Sequence, residues 1–98
     1  MSLLLLNDIN QFKELLEGYI ELYNNKPINK TTTIKKEFED MRVINQSLKG
    51  VQSRIYYIFT NTDQHPEIVR IKKYNDCLLE DLKKIQMVYL KKILMSNI

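Results

Sequence analysis

Apolar residues recur along the chain at intervals of three and four, and the intervals hold long enough to define three amphipathic stretches. In the first stretch Leu5, Ile9, Phe12, Leu16, Tyr19 and Tyr23 fall on one stripe of an α-helix, with Leu15 and Ile20 widening it. Glu14, Glu17 and Glu21 occupy other faces. Pro27 disfavours helix at Lys26, so this element should end by Asn24-Asn25, with a loop running to about Lys30. The hydroxyls of Thr31, Thr32 and Thr33 are each able to accept a free amide at the next helix start. A second stripe follows, made of Ile34, Phe38, Met41, Ile44, Leu48, Val51, Ile55 and Ile58. Gly50 within it costs about 1 kcal/mol relative to alanine, which the apolar stripe on either side outweighs. The glycine reads as tolerated, or as a point where a neighbouring helix comes close.

The segment Asn61-Thr62-Asp63-Gln64-His65-Pro66-Glu67 is a polar break with proline where a helix would begin and a carboxylate in its first turn. A third stripe then comprises Ile68, Ile71, Tyr74, Leu78, Leu82, Ile85, Val88 and Tyr89, flanked by Cys77 and Leu79, with Lys91 and Lys92 near the favourable C-terminal end. The pattern therefore predicts an all-α chain with helices over about 4–24, 32–60 and 66–94. Short connections make consecutive helices antiparallel, so the expected architecture is an up-down-up three-helix bundle forming a single domain over 1–98. Two glycines and two prolines in 98 residues agree with few, long elements. The longer helices should be about 40 Å at 1.5 Å per residue, giving a rod with surface grooves rather than pockets.

Composition narrows the function more by exclusion than by suggestion. With 44% apolar and 28% charged residues the chain should fold, but its length supports one core and little room for a catalytic layer. His65 is the only histidine, which rules out a catalytic triad or a histidine pair for zinc assembled within this chain; beside Pro66 it reads as a solvated or capping residue. Cys77, next to Leu78 and Leu79, reads as a small core or edge side chain rather than an activated nucleophile. The carboxylates at Glu37, Glu39 and Asp40, and at Glu80 and Asp81, sit at adjacent helical positions and should diverge onto solvated faces. Isolated Gly18 and Gly50 cannot form a phosphate-binding loop. The expectation is a non-enzymatic chain with no cofactor and no metal.

Basic residues gather on the third stretch at Arg70, Lys72, Lys73, Lys83, Lys84, Lys91 and Lys92, but Glu80 and Asp81 interrupt them, and Tyr74 and Tyr89 align with the apolar seam. The net charge is only +3. Nucleic-acid binding is therefore the weaker expectation. The run Leu3 to Leu6 lacks the basic flank and length of a signal peptide, and no stretch has the roughly 18 to 20 apolar residues of a membrane span. A lone cysteine points to the cytoplasm. On that reading the sequons at Asn29-Lys30-Thr31 and Asn45-Gln46-Ser47 are chance matches. Beside the main stripes lie Leu3, Leu4, Leu6, Val43, Tyr56, Tyr57, Phe59 and Met87, more apolar surface than three thin seams need. Contiguous exposed apolar area usually marks a partner site, so the chain reads as an interaction module, alternatively as a small helical subunit of a larger assembly.

A Met-Ser-Leu-Leu start, the segment Asn10-Gln11-Phe12-Lys13-Glu14-Leu15-Leu16, a proline-containing first loop, Lys30-Thr31-Thr32-Thr33-Ile34-Lys35 at the second helix and a lysine-rich third helix follow one another across nearly the whole chain. This arrangement resembles the N-terminal three-helix (Habc-type) domain of vesicle-transport v-SNAREs of the Vti-type Qb class. Val43-Ile44 followed by Ser47 departs from that family's paired leucines then methionine. The resemblance implies a regulatory domain that binds sorting adaptors or SNARE partners on the cytosolic face of endomembranes. It also implies a SNARE helix and C-terminal anchor in the full-length protein, beyond this chain.

Overall fold

The computed structural model describes residues 2–60 and 65–96, and side chains over 5–57 and 65–96. The stripe position Ile58, the apolar residues Leu3, Leu4 and Phe59, and the break at 61–64 fall outside the described residues or side chains. Three helices are present: α1 (Ser2–Asn25), α2 (Ile34–Thr60) and α3 (Pro66–Ser96). They form the expected all-α bundle, and their bounds differ from the sequence expectation by two residues at most. Of the three threonines, Thr33 caps α2: its hydroxyl accepts the Lys36 amide at 3.3 Å and its carbonyl the Glu37 amide at 3.1 Å. Asn29 organises the preceding turn, its Oδ1 accepting from the Thr31 amide and from both the Thr31 and Thr32 hydroxyls. His65 caps α3, with Nδ1 accepting the Glu67 amide at 3.3 Å and the carbonyl accepting the Val69 amide at 3.0 Å.

Cross-helix hydrogen bonds give the topology. Asn75 Nδ2 donates to the Ile9 carbonyl, and Tyr23 packs against Tyr89, so α1 and α3 run parallel. Asn45 pairs with Gln86, and Glu37 with Tyr89, so α2 runs against them. The most extensive packing is between α1 and α3, the pair not joined by a loop, while α2 rests more lightly on both. The rod measures 53 × 18 × 15 Å, and its Cα radius of gyration is 15.9 Å. A compact chain of this length would have about 13 Å.

The core is built from Leu5, Ile9, Phe12, Leu16 and Tyr23 of α1, Met41, Leu48 and Ile55 of α2, and Ile68, Leu78, Leu82, Tyr89 and Ile93 of α3. Several positions depart from the stripes. Phe38 is 61% exposed and its neighbour Glu37 is buried instead, so Glu37 is not on a solvated face. On α3, Tyr74 and Val88 are about half exposed, and Asn75 and Gln86 take core positions. Leu15 does not widen the α1 seam but faces solvent, and Cys77 is exposed rather than at a core edge. On α3 the inward face follows position rather than apolarity: Ile68, Asn75, Leu82 and Tyr89 are buried at seven-residue intervals, as are Gln86 and Ile93. A Cβ built on Gly50 meets nothing within 4 Å, so no helix approaches there and the glycine is simply tolerated.

Candidate functional site: a trough beside α2 and a buried ammonium site

Because α2 is lightly seated, furrows open on both of its sides. Between α2 and α3 lies an apolar hollow of about 530 Å³, floored by Met41 and Leu90 and edged by the exposed Phe38 and Met87. Arg42, Lys49 and Lys83 border it, and no acidic residue lines it. Arg42 is engaged by Glu39 one turn away, and Lys83 lies 4.0 Å from Glu80, whereas Lys49 has no acidic partner among the described residues. The hollow continues into a second one of about 520 Å³ that shares Asn45, Lys49 and Lys83, extends towards Tyr56 and Leu79 and is lined also by Asp76 and Glu80, forming one trough along the helix pair. On the other side of α2, a smaller furrow of about 450 Å³ runs past Phe12, Leu15, Val51 and Arg54. Beneath the trough, Asn45 and Gln86 exchange two amide hydrogen bonds of 3.0 Å each, satisfying both side chains and tying α2 to α3 at mid-length.

At the end of the rod near the first loop, four groups meet. Glu37 Oε1 accepts the Tyr89 hydroxyl at 3.2 Å and lies 3.3 Å from Lys26 Nζ. The same ammonium lies 5.6 Å from the Tyr23 ring centre and 5.9 Å from that of Tyr89, and the two rings meet edge to face at 5.8 Å. Burial, then the Glu37 charge, pushes the Tyr89 phenol up to about 12. Burial likewise raises Tyr23, with Glu37 and Asp40 adding to it; the Gln86 amide opposes the shift while falling short of a hydrogen bond. Tyr23 Oη and Glu37 Oε2 are both buried without a hydrogen-bond partner.

Elsewhere the basic face of α3 is partly neutralised, Arg70 by Glu67 at 3.3 Å and Lys72 by Asp76 at 3.0 Å, with Lys72 also 4.4 Å above the Tyr56 ring. The Tyr74 hydroxyl donates to Glu17 at 3.2 Å, and the side chain is about half exposed rather than packed in the seam. Among the described residues no three histidine, cysteine or acidic side chains converge as metal ligands, and no helix is long and apolar enough to cross a membrane. Of the apolar residues beside the stripes, Leu6 and Tyr56 pack against the core, whereas Val43, Tyr57 and Met87 remain exposed. The buried carboxylate and the two core amides have no apolar periodicity to betray them. Comparison with family models, with curated proteins and with solved structures found no match.

Proposed function

We propose that this chain is a protein-interaction domain rather than a catalyst, and that the α2/α3 trough is its contact face for an amphipathic helix of a partner protein. The observation that carries this reading is the exposure of Phe38 and Met87 (61% and 56%) on either side of an open apolar hollow. Exposed apolar side chains edging a furrow are the usual form of a helix-receiving surface. At the Phe38/Met87 hollow the border is basic with no acidic lining residue, which favours a partner helix carrying glutamate or aspartate beside its apolar stripe there, while Asp76 and Glu80 line the adjoining part of the trough. The resemblance of the chain to Habc-type domains supports a more specific role, the N-terminal regulatory domain of a vesicle-transport SNARE that binds trafficking adaptors at the cytosolic face of endomembranes. A second reading, a small helical subunit of a larger assembly, draws on Leu22, Tyr57, Leu94 and Met95, which are exposed away from the trough.

The test is an NMR titration with two designed amphipathic peptides of identical leucine stripe, one flanked by glutamate and one by lysine. The glutamate peptide should perturb Phe38, Met87 and Leu90 first, and Lys49→Glu/Lys83→Glu should reverse the preference. Perturbation confined to other faces, or none at millimolar peptide, would refute the trough as the contact face. For the SNARE role, the complete reading frame decides: heptads with a central glutamine downstream support it, and their absence overturns it.

A further inference from the structure

The walls of the Lys26 site and its occupant belong to different parts of the molecule. Tyr23 comes from α1, Glu37 from α2 and Tyr89 from α3, and all three are core residues, at 3%, 7% and 2% exposure. The Tyr89 hydroxyl holds one oxygen of the carboxylate, and the two rings brace each other. Lys26, by contrast, is the first residue after α1 in the loop, and about a quarter of its side chain is exposed. A carboxylate flanked by aromatic faces is the arrangement by which proteins recognise organic cations, because the ring quadrupoles and the anion attract the charge while the faces receive its apolar skirt. The buried Glu37 Oε2 and Tyr23 hydroxyl, both without partners, leave polar capacity that the single Lys26 ammonium does not use.

We propose that Tyr23, Tyr89 and Glu37 form a binding site for organic ammonium groups, which the chain fills in cis with its own Lys26. The ligand class is a monocation on an apolar stem: a lysine side chain offered by another protein, or a methylated quaternary amine. A tethered occupant competes at an effective concentration of millimolar order, so the resting chain is self-inhibited and a ligand acts by displacing Lys26. Lys84 and Lys92 border the neighbouring depression beside both rings and disfavour a second cation there, so the ligand takes the side that Lys26 vacates.

The experiment uses the full chain and its Lys26→Ala variant, titrated with butylammonium, tetramethylammonium and the neutral isostere butanol. Tyrosine ring shifts and thermal midpoints are the readouts. Butylammonium should bind Lys26→Ala at least about tenfold more tightly than it binds the parent chain, because the tethered competitor is gone. It should raise the variant's midpoint where butanol does not. A Lys26→Ala/Glu37→Gln variant, which buries no unpaired charge, should lose that affinity. Tighter binding of tetramethylammonium than of butylammonium identifies a methylated amine as the source, and the reverse identifies an unmodified lysine. Should Lys26→Ala not fold alone, recovery of its helical circular dichroism with butylammonium but not butanol supports the site. Equal affinity for parent and variant, equal effect of butanol, or neither binding nor recovery overturns it.

Discussion

Asn75 is the most informative single position in the core. It is 2% exposed at the contact of α1 with α3, where its Nδ2 donates 3.1 Å to the Ile9 carbonyl while its Oδ1 is buried without a partner. Asn75→Leu keeps the same branching and number of side-chain heavy atoms but removes both polar atoms. The hydrogen bond lost contributes about 1 kcal/mol net, and crowding by the larger methyl groups costs about another 1 kcal/mol. Against these, burying a leucine side chain contributes about 2 kcal/mol, and relief of the unpaired oxygen about 1 kcal/mol at the low end of its range. The balance is a stabilisation of about 1 kcal/mol, and with an unfolding entropy near 2.1 cal/mol/K per residue this raises the midpoint by about 5 °C. Thermal and urea unfolding followed by circular dichroism measure it. Destabilisation by more than about 1 kcal/mol would refute the reasoning, because a half-satisfied amide would then outweigh a packed apolar group. The asparagine's remaining value is register: only at position 75 does α3 find the Ile9 carbonyl, so the leucine variant should tolerate sliding and show broader NMR lines despite its higher midpoint.

Other consequences are simpler to measure. Gly18→Ala and Gly50→Ala should each stabilise by about 1 kcal/mol, because a Cβ at either site meets nothing within 4 Å; a loss in urea unfolding would show that a neighbour lies closer than described. Thr33→Ala removes the hydroxyl that caps α2 and should cost about 1 kcal/mol, while Thr33→Ser should be nearly neutral. Tyr89 ionises near 10 when unfolded and about 12 when folded, so its contribution is present below pH 10 and is lost as pH rises from 10 towards 12. The share of phenolate absorbance due to Tyr89 should therefore develop last and together with unfolding, whereas titration of every tyrosine near 10 with helices intact would contradict the burial of this ring.

The three helices were legible because amphipathic periodicity persists over many turns, and Pro27 and Pro66 punctuate it without competing signals. Their caps were legible as residue types, though which of the three threonines serves depends on the turn organised by Asn29. The inward face of each helix was legible only locally. Glu37 and Phe38 are adjacent, and apolar character alone assigns Phe38 to the core; the structure reverses them, with Tyr89, 52 residues away, and Lys26 in the loop both holding Oε1 of the carboxylate. Asn75 and Gln86 were missed for the same reason, their partners Ile9 and Asn45 being brought in by the fold. Of the described apolar residues beside the stripes only Tyr56 and Met87 line the trough, and Phe38, which edges it, belongs to the apolar stripe by sequence; the trough's position follows from the strong pairing of α1 with α3, which no loop length dictates.

That parallel pairing is the claim on which the trough and the ammonium site both stand, and inter-residue nuclear Overhauser effects on the isotopically labelled chain test it most directly. Cross-peaks between the Tyr23 and Tyr89 rings and between the Asn75 side-chain amide and Ile9, together with Asn45 to Gln86, are the result this structure requires. Cross-peaks joining Tyr23 to the Ile68 end of α3 would place the two helices antiparallel and contradict the account.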